Sequence, residues 1–171
     1  MGKEKGNIIL IGMPASGKST VGVILAKILG MDFMDTDILI QQSEGARLNE
    51  IIEKHGIDAF LDVEQNVLLE INVSDTVIAT GGSAVYSEKA MKHLAKGGSI
   101  VYLKVELEEL KRRLKDIRQR GVVLRAGESL EKMFEIRSAL YEEYADITIL
   151  EDGASIEDTV RAVTDGLNAG M

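Results

Sequence analysis

A nine-residue stretch near the start of the chain, GMPASGKST, has the residue types of a loop that holds phosphate. Gly12 and Gly17 stand five positions apart, and Lys18 and Ser19 follow at once. In this spacing the glycines let backbone N–H groups turn towards phosphate oxygens, the lysine reaches the terminal phosphates and the hydroxyl supplies an oxygen to Mg²⁺. The pattern predicts a nucleoside triphosphate site, and the alternative is a glycine-rich turn that binds nothing. The residues predicted to contact the nucleotide are Gly12, Ala15, Ser16, Gly17, Lys18, Ser19 and Thr20.

Two aspartates, Asp35 and Asp37, follow in the segment MDFMDTD. If this segment is extended, residues two apart point to the same side, so both carboxylates would face the terminal phosphate. One carboxylate could then hold the waters of Mg²⁺ and the other a hydroxyl that accepts the phosphate. The alternative is that Asp37 caps a helix that begins at Ile38, which would not exclude catalysis.

Glycines and arginines further along the chain have two interpretations each. Gly81 and Gly82 in TGGSAV allow close approach of the backbone to a ligand, but a purely structural turn fits equally well. Arg137 lies among glutamates on a predicted helix, where a solvated salt bridge is the ordinary role. A basic run is usually a solvated helix face, but here it leads into the glycine-containing segment RQRGVVLRAGES, so contact with the nucleotide is equally open. That run comprises Lys111, Arg112, Arg113, Lys115, Arg118 and Arg120.

The elements that must position these residues alternate between short apolar runs and amphipathic stretches. Five runs predict strands, in NIILIG, MDFMDTD, DTVIATGG, GGSIVYL and ADITIL. Helical spacing of apolar residues predicts helices over 19–29, 38–42, 48–55, 57–73, 88–95, 107–117 and 130–144. Ser155 with Asp158 three positions later predicts the start of a short C-terminal helix. Alternating strands and helices predict an α/β fold with a parallel sheet covered on both faces, and RQRGVVLRAGES is predicted to be a mobile loop over the site.

Composition narrows the class of protein. A chain of 171 residues with 45% hydrophobic and 28% charged residues predicts one compact domain. The net charge of -8 disfavours nucleic-acid binding, and no apolar run has the length of a membrane span. The chain begins without the apolar core of a signal peptide, and it has no cysteine. We therefore expect a cytoplasmic monomer that binds neither nucleic acid nor membrane.

In their order along the chain, these motifs resemble the shikimate kinase family of phosphate-loop proteins. The resemblance covers nearly the whole chain and rests on GMPASGKST, DTD, the phenylalanine and glutamate of FLDVE, TGGSAV and RSALYEEYAD. It implies a single kinase domain over 1–171 with a three-layer α/β/α fold and a five-stranded parallel sheet in the order 2-3-1-4-5. It also implies an acceptor-binding helical segment at about 36–74 and a lid at about 118–128.

The resemblance implies a role for each residue that handles ATP and Mg²⁺. Lys18 and Ser19 would contact the phosphates and the metal, and Asp35 would support the metal through water. Arg113 would stack on adenine. Arg120 would be the lid arginine that covers the transferring phosphate, with Arg118 and Arg125 as alternatives for that role.

Acceptor binding is implied in the same way. Asp37 would hold the attacked hydroxyl and act as the base, and Gly81 and Gly82 would offer backbone groups to the acceptor and the γ-phosphate. Arg137 would bind the acceptor's carboxylate. One departure concerns this site directly, because Leu61 stands where the family has an arginine that pairs with the same carboxylate.

Two further departures are Ser83, in place of the third glycine of a triplet, and RGVVL, where the family has arginine-proline followed by two leucines. The absence of the family's arginine at position 61 should weaken shikimate binding roughly ten- to a hundredfold unless Arg118 or Arg125 replaces it.

We expect an ATP- and Mg²⁺-dependent kinase that converts shikimate to shikimate 3-phosphate. The alternatives are a kinase of the same fold for a sugar acid or cyclitol, and a nucleotide-binding regulatory protein.

Overall fold

The structure is a computed structural model that describes residues 6–114, 122–151 and 153–169. Its centre is one sheet of five parallel strands in the order β2-β3-β1-β4-β5, which confirms the predicted sheet order. The strands are β1 (Asn7–Ile11), β2 (Asp32–Asp35), β3 (Thr76–Ala79), β4 (Gly98–Lys104) and β5 (Ile147–Leu150). In the centre of the sheet Ile9 lies between Ile78 of β3 and Ile100 of β4.

Helices cover both faces of this sheet, as predicted from the alternation of elements. They are α1 (Lys18–Leu29), α2 (Thr36–Glu44), α3 (Leu48–His55), α4 (Ile57–Glu70), α5 (Glu88–Gly97), α6 (Leu107–Arg113), α7 (Leu130–Tyr144) and α8 (Ile156–Ala169). A short 3-10 helix, Ala84–Tyr86, follows the glycine pair and was not predicted. Among the described residues no helix has the length and apolar character needed to cross a membrane.

Alternate residues of the strands face two separate cores. Ile9 and Ile11 of β1 pack in one core with α5 and α7, while Ile8 and Leu10 pack in the other with α1 and α8. Because both faces of the strand are buried, its sequence is continuously apolar rather than alternating. A third, smaller cluster lies beside the sheet and joins α2, α3 and α4 to a residue beyond α6: its buried members are Ile40, Ile51, Phe60 and Val123.

Helix boundaries follow local capping. Gly17 (φ 83°) precedes α1 and Gly30 (φ 66°) ends it, both in the left-handed region that glycine adopts easily. The Ser155 hydroxyl accepts the N–H of Asp158, and the Asp158 carboxylate accepts the N–H of Ser155, so the predicted capping box is present. Other boundaries were wrong: α4 ends at Glu70 rather than 73, and α8 is 14 residues long rather than short. The predicted lid at 118–128 and the end of the helix predicted at 107–117 fall partly outside the described residues.

Candidate active site

The functional residues gather at the carboxyl ends of the strands, where a parallel sheet places its ligand sites. The loop after β1 continues into α1, β2 ends at Asp35, and Gly81 and Gly82 follow β3. A cavity of 260 Å³ lies at this edge, lined by Lys18, Asp37 and Arg137 together with the glycine pair. We call this the main cavity.

The loop after β1 has no room for a side chain at its first residue, Gly12. A Cβ on Gly12 would lie 2.6 Å from the carbonyl oxygen of Leu103, and the φ of Gly12 is 151°. Ala15 also has a left-handed φ of 62°. Positive φ values within a short loop are typical of the backbone concavities that bind anions. The three-dimensional form of GMPASGKST therefore matches the chemistry expected from its spacing.

Lys18 is buried at the base of this loop. Its Nζ donates hydrogen bonds to the carbonyl oxygens of Gly12 (2.8 Å) and Met13 (2.7 Å) and to Oγ of Ser16 (3.2 Å). Burial lowers the pKa of Lys18 to about 8, and the nearby carboxylate of Asp37 opposes this shift. The ammonium group thus lines the main cavity and is held there by neutral oxygens. A negatively charged phosphate oxygen would attract it more strongly than these neutral oxygens do, and could replace them.

Ser19 and Asp35 form the side of the site that could hold a metal. The Ser19 hydroxyl donates to Oδ2 of Asp35 at 2.6 Å. Within the described ranges no cluster of three or more metal-binding side chains occurs, so a metal would need ligands from water and phosphate. Mg²⁺ is usually bound in this way, by one or two protein oxygens plus substrate phosphates, and the oxygen donors of Ser19 and Asp35 suit it.

The capping of α2 corrects one prediction. Oδ1 of Asp35 accepts the backbone N–H of Asp37 (3.0 Å) and of Ile38 (3.4 Å), so Asp35 caps the helix. The alternative in which Asp37 caps a helix starting at Ile38 is wrong, because α2 begins at Thr36. Asp37 therefore lies in the first helical turn, not on an extended segment as predicted, and its carboxylate still lines the main cavity.

Gly81 lies against two carboxylates. A Cβ at this position would come within 2.7 Å of Oε1 of Glu64 and 2.8 Å of Oδ1 of Asp37. Burial raises the pKa of Asp37, the nearby Asp35 adds to the rise, and Lys18 opposes it. A side chain at position 81 would therefore force at least one of these two carboxyl groups to move, so Gly81 leaves space for the side chains of the site.

Arg137 is the largest fully buried side chain in the described structure, at 1% exposure. Its Nε donates to the hydroxyl of Tyr86 at 3.2 Å, its Nη2 donates to the carbonyl of Val123, and Nη1 lies 3.1 Å from where a Cβ of Gly82 would be. The predicted alternative of a solvated salt bridge is wrong, because these contacts are to neutral groups. A buried guanidinium that lines a cavity and has no salt bridge to a carboxylate among the described residues is suited to binding an anion.

The basic helix α6 divides into a solvated part and a part that faces the loop. Lys111 and Arg112 pair with glutamates at the surface, which agrees with the interpretation of the basic run as a solvated helix face. Arg113 turns inward, where Nη1 donates to the carbonyl of Ala15 (3.2 Å) and to Oε2 of Glu151 (3.1 Å). Glu151 follows β5, is 6% exposed and was not singled out from the sequence. Arg118 and Arg120 lie outside the described residues.

Glu64 and Ser83 form a buried pair whose contact could not be read from the sequence. The Ser83 hydroxyl donates to Oε2 of Glu64 at 2.6 Å, and burial raises the pKa of Glu64 to about 7. The phenylalanine-to-glutamate spacing in FLDVE was the available signal, but it did not indicate what the carboxylate contacts.

Comparison with known proteins assigns the chain to a family. The family model described as Shikimate kinase matches residues 14–168. The chain belongs to the shikimate kinase family. It is 36% identical to the shikimate kinase of Pasteurella multocida, with 95% of each chain covered, and 34% identical to that of Haemophilus influenzae, with 98% of this chain and 99% of the relative covered. The structure of the Acinetobacter baumannii shikimate kinase in complex with shikimate superposes with a TM-score of 0.89, at 31% identity over 97% of this chain and 94% of the other. The protein is thus a small-molecule kinase that uses ATP and has an alcohol acceptor.

Proposed function

We propose that this protein transfers the γ-phosphoryl group of ATP to a hydroxyl of shikimate and gives shikimate 3-phosphate. One observation carries the proposal: residues of the GMPASGKST loop, including Lys18, line a single cavity together with Asp37 and the buried Arg137. The membership of the shikimate kinase family supports it, as does the shikimate bound to the Acinetobacter baumannii relative.

On the donor side, the loop from Gly12 to Thr20 would hold the phosphates with its backbone N–H groups, and α1 would add the positive end of its dipole. The Lys18 ammonium group would leave its loop carbonyls and contact the terminal phosphates. Mg²⁺ would be held by Ser19 and, through water, by Asp35, and it would neutralise charge on the phosphates. Arg113 would lie beside the nucleotide, since it already contacts the carbonyl of Ala15.

On the acceptor side, Asp37 would hold the attacking hydroxyl and take its proton as the oxygen bonds to phosphorus. Burial raises the pKa of Asp37, which suits a group that must accept a proton near neutral pH. Arg137 would bind the carboxylate of shikimate, and Gly81 and Gly82 would offer backbone groups between the acceptor and the γ-phosphate. Exclusion of water from this cavity would favour transfer to the alcohol over hydrolysis of ATP.

The test is release of ADP by the purified protein with Mg²⁺, measured without an acceptor and with shikimate, quinate, gluconate and inositols. Shikimate should give the highest kcat/KM, with shikimate 3-phosphate as product. Release that is faster with a sugar acid or an inositol would assign the protein to another acceptor. Release that no acceptor increases would support the regulatory alternative.

Asp37→Asn tests the proposed base. Turnover should fall about 10²–10⁴-fold with nucleotide affinity retained, because a positioned base contributes on this scale. Asp32→Asn is the matched control, since Asp32 is an exposed aspartate at the start of β2, the strand that precedes α2. Equal loss of ATP binding would place Asp37 in metal support or folding instead. The monomeric state and cytoplasmic location stay predictions from the sequence.

A further inference from the structure

A second cavity, of 230 Å³, adjoins the acceptor side of the main cavity. Its wall includes Leu61 and Glu64 from α4, Ser83, Tyr86 and Arg125. Ser83 also lines the main cavity, so the two cavities meet at this residue. Tyr86 connects them as well, because its hydroxyl accepts the Nε–H of Arg137. A charged group in the second cavity is therefore adjacent to the site proposed for the acceptor's carboxylate.

One oxygen of the Glu64 carboxyl group accepts no hydrogen bond from the described residues. The side chain is 2% exposed, Oε2 accepts the Ser83 hydroxyl, and Oε1 has no hydrogen-bond partner among the described residues. A buried carboxylate oxygen without a donor is costly, and a guanidinium is the side-chain group best shaped to satisfy it. The neighbouring Leu61 supplies no donor.

Arg125 is a basic residue on the wall of the second cavity, and the hydrogen bonds that hold it are made by its backbone. Its N–H donates to Oε2 of Glu128 (3.1 Å), and its carbonyl accepts the N–H of Glu128 (2.9 Å). Its guanidinium lies 3.9 Å from Oδ1 of Asp58, with the two side chains 63% and 93% exposed. A surface pair of this kind contributes little, so a rotation of the side chain away from Asp58 has a small cost.

We propose that Arg125 is a specificity-determining residue that binds the acceptor's carboxylate together with Arg137. Its guanidinium turns into the second cavity, donates to Oε1 of Glu64 and directs its remaining N–H groups at the carboxylate. The five donors of the planar guanidinium allow both contacts at once. This inference rests on the proposed function, since it requires an acceptor that has a carboxylate.

Steady-state kinetics of the full chain test the inference. Arg125→Ala should raise the KM for shikimate roughly ten- to a hundredfold, the value of one charge-assisted pair, with a much smaller change in kcat and in the KM for ATP. Arg125→Lys keeps the positive charge but lacks the paired N–H donors of the planar guanidinium, so its KM for shikimate should be intermediate. Arg161→Ala is the matched control, because Arg161 is an exposed arginine on α8. The KM of this variant for shikimate should equal that of the wild type.

A rescue experiment separates binding from a merely structural role. Leu61→Arg places a guanidinium on the wall of the same cavity, three positions before Glu64 on α4, so it should lower the KM of Arg125→Ala at least about tenfold. Thermal unfolding of the ligand-free Arg125→Ala protein should match the wild type. An unchanged KM for shikimate, an equal rise in the KM for ATP, or a failure of rescue overturns the inference and leaves the proposed function standing. A wild-type protein that does not phosphorylate shikimate overturns both.

Discussion

Replacing Glu64 by glutamine should make the stability of the ligand-free protein less dependent on pH. Burial raises the pKa of this carboxyl from 4.5 to about 7, so the folded protein keeps a proton that the unfolded chain has released. Stability from this group is fully present below about pH 4.5 and is lost as the pH rises through about 7. At 1.36 kcal/mol for each pH unit between the two pKa values, the loss is on the order of 3 kcal/mol.

Urea unfolding at pH 5 and pH 8 measures this loss. The difference in free energy of unfolding between Glu64→Gln and the wild type should increase by a few kcal/mol from pH 5 to pH 8, on the order given by the two pKa values. The constant effects of the substitution, including any change in the Ser83 hydrogen bond, cancel when the two pH values are compared. Glu70→Gln, at an exposed position on the same helix, should show no comparable increase. A difference that is the same at both pH values would refute the raised pKa of the buried Glu64 carboxyl group.

Further substitutions test the main cavity. Lys18→Ala should abolish phosphoryl transfer in the ADP-release assay and leave the far-UV circular dichroism unchanged, because the ammonium group contacts the loop and lines the main cavity rather than packing in the apolar core. Gly81→Ala should reduce turnover and lower stability by roughly 1–3 kcal/mol in urea unfolding, since its Cβ would lie within 3 Å of two carboxylates. Arg113→Ala should raise the KM for ATP, whereas Arg112→Ala, one position earlier on the solvated face, should not; equal effects would show that only the net charge of α6 matters.

Strand and helix positions followed from sequence because they depend on local patterns. The five apolar runs became the five strands, and the predicted limits 48–55 and 130–144 are those of α3 and α7. The strand order came from the family resemblance, since periodicity alone does not say which strands are neighbours. The start of α2 was missed because two aspartates competed to cap it, and the hydrogen bonds of Asp35 decide the outcome.

The acceptor side was harder to predict because its contacts join distant segments. Glu64 and Ser83 are 19 positions apart, and neither residue type indicates the other. Arg137 was interpreted as a possible surface arginine because its own helix is rich in glutamate. The buried guanidinium instead donates hydrogen bonds to Tyr86 and Val123, which lie in other segments. Arg125 could be named as a replacement cation, but its position on the same cavity wall as Glu64 could not be derived.

The two halves of the proposed site have different consequences for how the protein can evolve. Most of the donor half lies within one short segment, Gly12 to Thr20, and only Asp35 and Arg113 among the described residues join it from other elements. The acceptor half is assembled from separate elements around Gly81, where a new side chain would meet two carboxylates at once. A substitution there would have to displace at least one of these carboxyl groups from the site. We therefore expect descendants of this gene to keep their phosphate donor and to acquire new acceptors through less crowded positions such as Leu61 and Arg125.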